Sequence, residues 1–239
     1  MHLQVHVGPY PKVPVGPKGK VKSDASQSAS YAQSIKPASI FEVFTDGSVC
    51  GDMAGYAAAW RDPLPAHPNH YAHQSGQLQR AGIASSEAEL RSINLGLDSA
   101  HNWRDRALHR SVIVYSDNAV NLKLVRDWQE GVPSDRPLDP HVEHVLVRMK
   151  YWAALLHQQG VEVTLRWMKS RRDIDGHDIA DIWSKVRSGA RPGGKRWLWQ
   201  RDSDLRWHIY QWRREENANP ALRLALAQFK EEVVNAPPQ

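Results

Sequence analysis

A single cysteine, Cys50, stands among 239 residues. An intramolecular disulfide and a cysteine-based zinc site are both excluded, and the expected compartment is a reducing, cytoplasmic one. No apolar run nears the roughly 18 residues that a membrane span needs. Residues 1–10 lack the basic start and apolar core of a secretory leader, so neither a leader nor a membrane partner is expected. No internal repeat is present. The composition is otherwise ordinary, 41% hydrophobic and 24% charged with 15 Gly and 15 Pro. Collagen-like, wholly disordered and disulfide-scaffold classes are therefore excluded. The length suits one large domain, or a domain of about 150 residues with extensions.

The net charge of +5 is unevenly spread. Residues 1–38 hold five lysines against Asp24 alone, and residues 190–239 hold nine basic and six acidic residues. The stretch between them is slightly acidic. Basic flanks about an acidic centre fit a polyanion held near a carboxylate-rich site, and equally fit flanks that are only solvated surface.

Residues 8–39 are rich in Pro, Gly, Lys, Ser and Ala with little apolar periodicity. Residues 1–39 thus read as a flexible basic arm, in which Val5 and its neighbours can form a short strand. From Ile40 the pattern changes. FEVFT (41–45) alternates and predicts a strand, with a turn at the DGS that follows. GYAAAW (55–60) predicts a second strand, and a weaker third falls within 69–78. SSEAELRSINLGLDSAHNW (85–103) predicts a helix capped by Ser85 or Ser86, with Leu90, Ile93, Leu97 and Ala100 on one face. SVIVYSD (111–117) has the short apolar run of a strand buried on both faces. A helix over 118–130, a long amphipathic helix over 141–160 ended by Gly160, an alternating strand over 161–168 and a helix over 177–189 follow. This order predicts an α/β domain over residues 40–189, a mixed sheet flanked by helices. Residues 190–239, with four Trp, read as a helical appendage too small to fold alone.

Four acids fall at the ends or faces of these elements. Asp46 follows the first strand and Asp117 the fourth, and both strands are apolar enough to be central neighbours. Carboxylates leaving neighbouring buried strands on one side repel and raise each other's pKa, an arrangement tolerated where a divalent cation sits between them. Glu89 lies early in the helix at 85–103, and Asp181 in the helix at 177–189. Taken singly, Glu87, Glu89 and Asp178 read as acids that complement a helix dipole.

Taken together, FTDGS (44–48), GYAAAW (55–60), SSEAELRSI (85–93), VYSDN (114–118) and GHDIADIWSK (176–185) carry a resemblance. The segment 40–189 resembles the type I ribonuclease H family, in its motifs, their order and their strand and helix context. The resemblance implies a ribonuclease H-like five-stranded mixed sheet flanked by helices. It also implies a D-E-D-D set holding two Mg2+ ions, with Mn2+ able to substitute. Asp46 and Asp117 match the first and third acids. Glu89, directly before Leu90, matches the second, leaving Glu87 in reserve. Asp181 matches the last, with Asp178 in reserve one helical turn away.

The implied activity is endonucleolytic hydrolysis of the RNA strand of RNA–DNA hybrids. Two cations about 4 Å apart would activate water and neutralise the leaving oxygen, and hard carboxylate oxygens are the scaffold they need. Ser48, Ser85, Ser86 and Asn118 lie beside the implied ligands and can contact 2′-hydroxyls or the backbone. For each, a turn or cap role stands as an equal alternative. Where many family members carry a mobile His, this chain has Arg171, a candidate phosphate contact with Arg172. His177 stands where the family usually has Asn, and reads first as a helix-start residue and second as a catalytic helper. The basic, Trp-containing helix that some bacterial members use to grip substrate is absent. Grip would then fall to the Lys-rich arm or to Trp197, Trp199, Trp207, Tyr210 and Trp212, although packing is the better reading of those aromatics.

Two other functions stay open on the sequence alone. One is a non-cleaving module of the same fold that binds nucleic acid or a protein. The other is a DNA-directed nuclease, disfavoured by Ser48 two residues after Asp46 and by Asp rather than Glu at 181.

Overall fold

The computed structural model describes residues 3–6, 14–15, 20–21, 31–32, 36–61, 71–134, 137–169 and 174–190. Arg171 and the aromatic-rich stretch 190–239, beyond Ala190, lie outside the described residues.

A six-stranded sheet organises the chain. Its strands are β1 (Gln4–His6), β4 (Ile40–Cys50), β5 (Met53–Arg61), β6 (Tyr71–Gln79), β7 (Ser111–Ser116) and β8 (Glu162–Trp167). Two-residue strands β2 (Pro14–Val15) and β3 (Lys20–Val21) form a separate ladder. The order across the sheet is β1-β8-β7-β4-β5-β6. β4, β5 and β6 are an antiparallel meander, whereas β7 runs parallel to β4 and β8 parallel to β7. Five of these strands make the mixed sheet that the sequence predicts. β1 adds a sixth, parallel to β8 with Val5 opposite Leu165.

The helices are α1 (Ser85–Trp103), α2 (Ala119–Gln129), α3 (Pro140–Gln158) and α4 (Asp175–Ser188). On one face, α1 lies against β4, with Leu90, Ile93, Leu97 and Ala100 wholly buried as their spacing predicts. Val43, Val112, Val114, Leu146 and Leu156 join them in the main core. On the other face, α4 covers Phe44, and Tyr115, Met168 and Ile174 complete a smaller core.

Three local expectations are corrected. The first concerns the DGS motif, which does not turn: β4 runs unbroken through Asp46, Gly47 and Ser48, paired with Ala57, Tyr56 and Gly55. The chain reverses at Gly51–Asp52 instead, where Gly51 has φ +59°, a region costly for residues with a Cβ. Gly47 serves a different need. A Cβ there would sit 2.4 Å from the backbone of Ala88 and Glu89, so glycine is what lets α1 touch the strand. The second correction is the α1 cap. Ala84 occupies that position in extended conformation with no side-chain cap bond, and Ser85 and Ser86 are exposed in the first turn. The third is α4, which starts at Asp175, two residues before the expected 177.

Candidate active site

The parallel register of β4 and β7 ends with Phe44 opposite Tyr115. Continuing it by two residues sets Asp46 beside Asp117. Asp46 is therefore a strand residue that points from the sheet, and Asp117 is the first residue past its strand. Trp167 on β8 donates its indole N–H to the Asp117 carbonyl at 3.0 Å, tying down that strand end.

Glu89 reaches the same place from α1. Its Oε2 accepts from the Gly47 backbone N–H at 3.2 Å, so the close approach that Gly47 permits also brings the carboxylate to Asp46. α4 closes the site from the opposite face. A Cβ on Gly55 would meet the Ser184 carbonyl at 1.9 Å, and one on Gly176 would meet Phe44 at 2.2 Å. Two glycines thus let α4 press onto the sheet. Ser184 then donates to Asp46 Oδ2 at 2.5 Å. His177, one turn before Asp181, sits with Nε2 3.9 Å from Asp46 Oδ1 and 3.6 Å from Asp117 Oδ2.

Burial of the acids dominates the electrostatics. Burial pushes the Asp46 carboxyl up to about 6, helped by the charges of Asp181 and Asp117 and opposed by His177 and Ser184. Glu89 is raised well above the ordinary value by burial and by Asp46 and Asp117, against the Gly47 N–H. For His177, burial works downward, but the pull of Asp117, Asp46 and Asp178 outweighs it and the net shift is upward. Buried carboxylates that raise one another are the expected signature of a cation site or an acid–base pair.

The remaining candidates separate clearly. Asp181 borders the cluster, but its carboxylate is held by Lys185 Nζ at 2.5 and 2.7 Å. Glu87 lies elsewhere, buried between Arg80 and Arg91, with Arg91 Nη2 at 2.9 Å. Asp178 is buried in the first turn of α4. Asn118 caps α2, accepting from the Asn121 N–H at 3.0 Å. Ser48 accepts from Ser188 at 3.2 Å. The sequence reading missed Ser184 and Lys185. Helical spacing was the available signal, since 177, 181 and 184 fall on one face.

The donor set suits a divalent cation. Among the described residues, one ligand atom each from Asp46, Asp117 and His177 lies within 4.8 Å of the others, and Glu89 adds a further hard oxygen at the border.

No family model matches the chain, and no curated protein matches it. Solved structures do. The N-terminal RNase H domain of a Mycobacterium tuberculosis protein is 20% identical, with TM-score 0.44 over 63% of this chain and 94% of that one. RNase H1 from the halophilic archaeon Halobacterium salinarum is 14% identical, with TM-score 0.44 over 62% and 96%. LC11-RNase H1 in complex with RNA/DNA hybrid, from a compost metagenome, is 15% identical, with TM-score 0.44 over 62% and 96%. The sheet order described above, with its flanking helices, is the mixed α/β arrangement that the sequence predicts. Among the described residues, no helix is long and apolar enough to cross a membrane.

Proposed function

We propose that this chain is a divalent-metal-dependent endonuclease that hydrolyses the RNA strand of RNA–DNA hybrids. The observation that carries the reading is the convergence of Asp46, Glu89 and Asp117 from three separate elements, with Glu89 held by the Gly47 N–H beside Asp46. Asp46, Glu89, Asp117 and Asp181 are the residues that would hold Mg2+, two ions in all. Bound there, the cations supply an activated water and neutralise charge on the leaving oxygen. The chain's own residues orient the acids. Gly47 N–H fixes Glu89, and Ser184 fixes one oxygen of Asp46. Ser48, Ser85, Ser86, Asn118 and Arg171 are the proposed substrate contacts. Of the described ones, Ser85 and Ser86 are exposed at the start of α1 and free to meet a ligand.

The test is incubation of the full chain with a labelled RNA–DNA hybrid, in Mg2+ or in EDTA, beside matched RNA–RNA and DNA–DNA duplexes. Mg2+-dependent cutting of the hybrid's RNA strand alone supports the reading. A second reading, a non-cleaving module of the same fold, has one observation in its favour: the lysine clamp on Asp181. Tight hybrid binding without cutting would select it.

A further inference from the structure

His177 is the residue whose surroundings demand the most explanation. It is 6% exposed, and its Nε2 is buried with no hydrogen-bond partner. A buried polar nitrogen without a hydrogen bond costs stability, so such atoms are few and call for a reason. The nitrogen does not face an apolar wall, as a core histidine would. It faces Asp117 Oδ2 at 3.6 Å and Asp46 Oδ1 at 3.9 Å. Both separations exceed a hydrogen bond. Ligand atoms about 2.1 Å from one cation stand about 3 Å apart at right angles and about 4.2 Å apart when opposite. The two distances fall between those limits.

The surrounding structure holds the three groups in that relation. Gly176 seats the start of α4 against Phe44 and brings the His177 ring to the sheet. Ser184, seven residues on and on the same helical face, takes Asp46 Oδ2 at 2.5 Å, so the Oδ1 atom is the one left toward His177. Outer partners that orient a carboxylate in this way are a regular feature of metal centres.

Two carboxylates and one imidazole are a different donor set from carboxylates alone. Mg2+ is bound mainly by oxygen and keeps several waters, whereas imidazole nitrogen suits first-row transition cations. We infer that His177 Nε2 is a direct ligand, with Asp46 and Asp117, of a divalent transition cation, and that this centre selects Mn2+ over Mg2+. The inference rests on the proposed metal role of Asp46 and Asp117, and extends it by one ligand and by the class of ion.

The experiment measures metal binding by the full chain without nucleic acid. Mn2+ and Mg2+ are titrated calorimetrically into the wild type, His177→Asn and Asp46→Asn, with thermal melts as a folding control. The wild type should bind Mn2+ about tenfold or more tightly than Mg2+. His177→Asn should lose that margin while its Mg2+ affinity stays within about twofold, and Asp46→Asn should weaken both ions. Equal Mn2+ affinity in wild type and His177→Asn would overturn the inference. Pulsed electron paramagnetic resonance of Mn2+ on the wild type covers the case in which the variant does not fold. A nitrogen hyperfine coupling from a bound imidazole supports the ligand, and its absence refutes it. The two readings fail separately. Nitrogen-ligated Mn2+ without hybrid cleavage removes the nuclease and keeps this centre, whereas Mg2+-dependent cleavage with no nitrogen coupling does the reverse.

Discussion

Asp46 and Glu87 are both buried acids, yet their neighbours assign them different work. Asp46 meets other acids, the Ser184 hydroxyl and His177, and burial outweighs the help of the last two. Asp46→Asn and Asp117→Asn remove ligand charge and keep shape. Each is expected to abolish metal-dependent turnover of the hybrid, by about a thousandfold or more, with the circular dichroism spectrum and hybrid binding intact. Glu87 instead meets Arg80 and Arg91 and is satisfied by them. Glu87→Gln should leave any turnover in place and lower stability by about 2 kcal/mol, between the limits for exposed and buried ion pairs. Chemical denaturation of this variant beside a turnover assay checks both halves.

His109 carries a pH prediction away from the acids. It packs edge-on against Phe41 with ring centroids 5.2 Å apart, and its Nδ1 accepts the Asp105 backbone N–H at 3.0 Å. Burial lowers its pKa, opposed by the Asp105 carboxylate and assisted by Arg104. The unfolded chain therefore holds its proton to higher pH than the folded one. Stability from this residue is full above the ordinary histidine value of about 6.5 and is lost as pH falls below it. His109→Gln keeps an acceptor without the titration. The stability difference between wild type and variant should thus change between pH 7.5 and 5 and be flat above 7.5, as read by urea unfolding at each pH.

Among the elements, glycine rather than apolar bulk sets how closely helices approach the sheet. α1 lies on β4 because Gly47 has no Cβ, and α4 lies on the other face because Gly55 and Gly176 have none. Gly47→Ala forces backbone apart from backbone. It should cost about 1–3 kcal/mol, the range for overpacking, and carry Glu89 away from Asp46. Thermal melting reads the first effect, and a weaker metal titration than wild type reads the second. The three glycines were visible in the sequence. Gly55 and Gly176 each open a sequence motif, and the DGS motif predicts a turn at Gly47. Local propensity favoured that reading, and the ladder to β5 together with the docking of α1 overruled it.

For the molecule as a whole, the N-terminal residues do more than a flexible arm would. Leu3 is 6% exposed within the main core, and its carbonyl accepts from Gln129 at 3.3 Å. β1 thereby covers the β8 edge, which would otherwise present unpaired backbone groups. Leu3→Ala should lower stability by about 2 kcal/mol, at the lower end of core truncations. A shift in the midpoint of denaturant unfolding without a change in slope would report it. Three residues of strand have no readable periodicity, and a parallel partner so far along the chain leaves no local mark, so this strand could not be foreseen beyond the suggestion at Val5.

Alternation in β4, the unbroken apolar run of β7 and the helical spacing of α1 were legible because each records burial of a single element against a common core. The acids Asp46, Glu89, Asp117 and Asp181 stand out in the sequence because each follows or interrupts such a pattern, in the order of the family that the segment resembles. Which acids come together, and which acquire a basic partner instead, was decided only by tertiary structure. The proximity of His177 to Asp46 and Asp117, the Lys185 clamp on Asp181 and the Ser184 bond to Asp46 all depend on how far α4 sinks onto the sheet. That depth is set by steric contact between residues far apart in sequence, and no local preference encodes it.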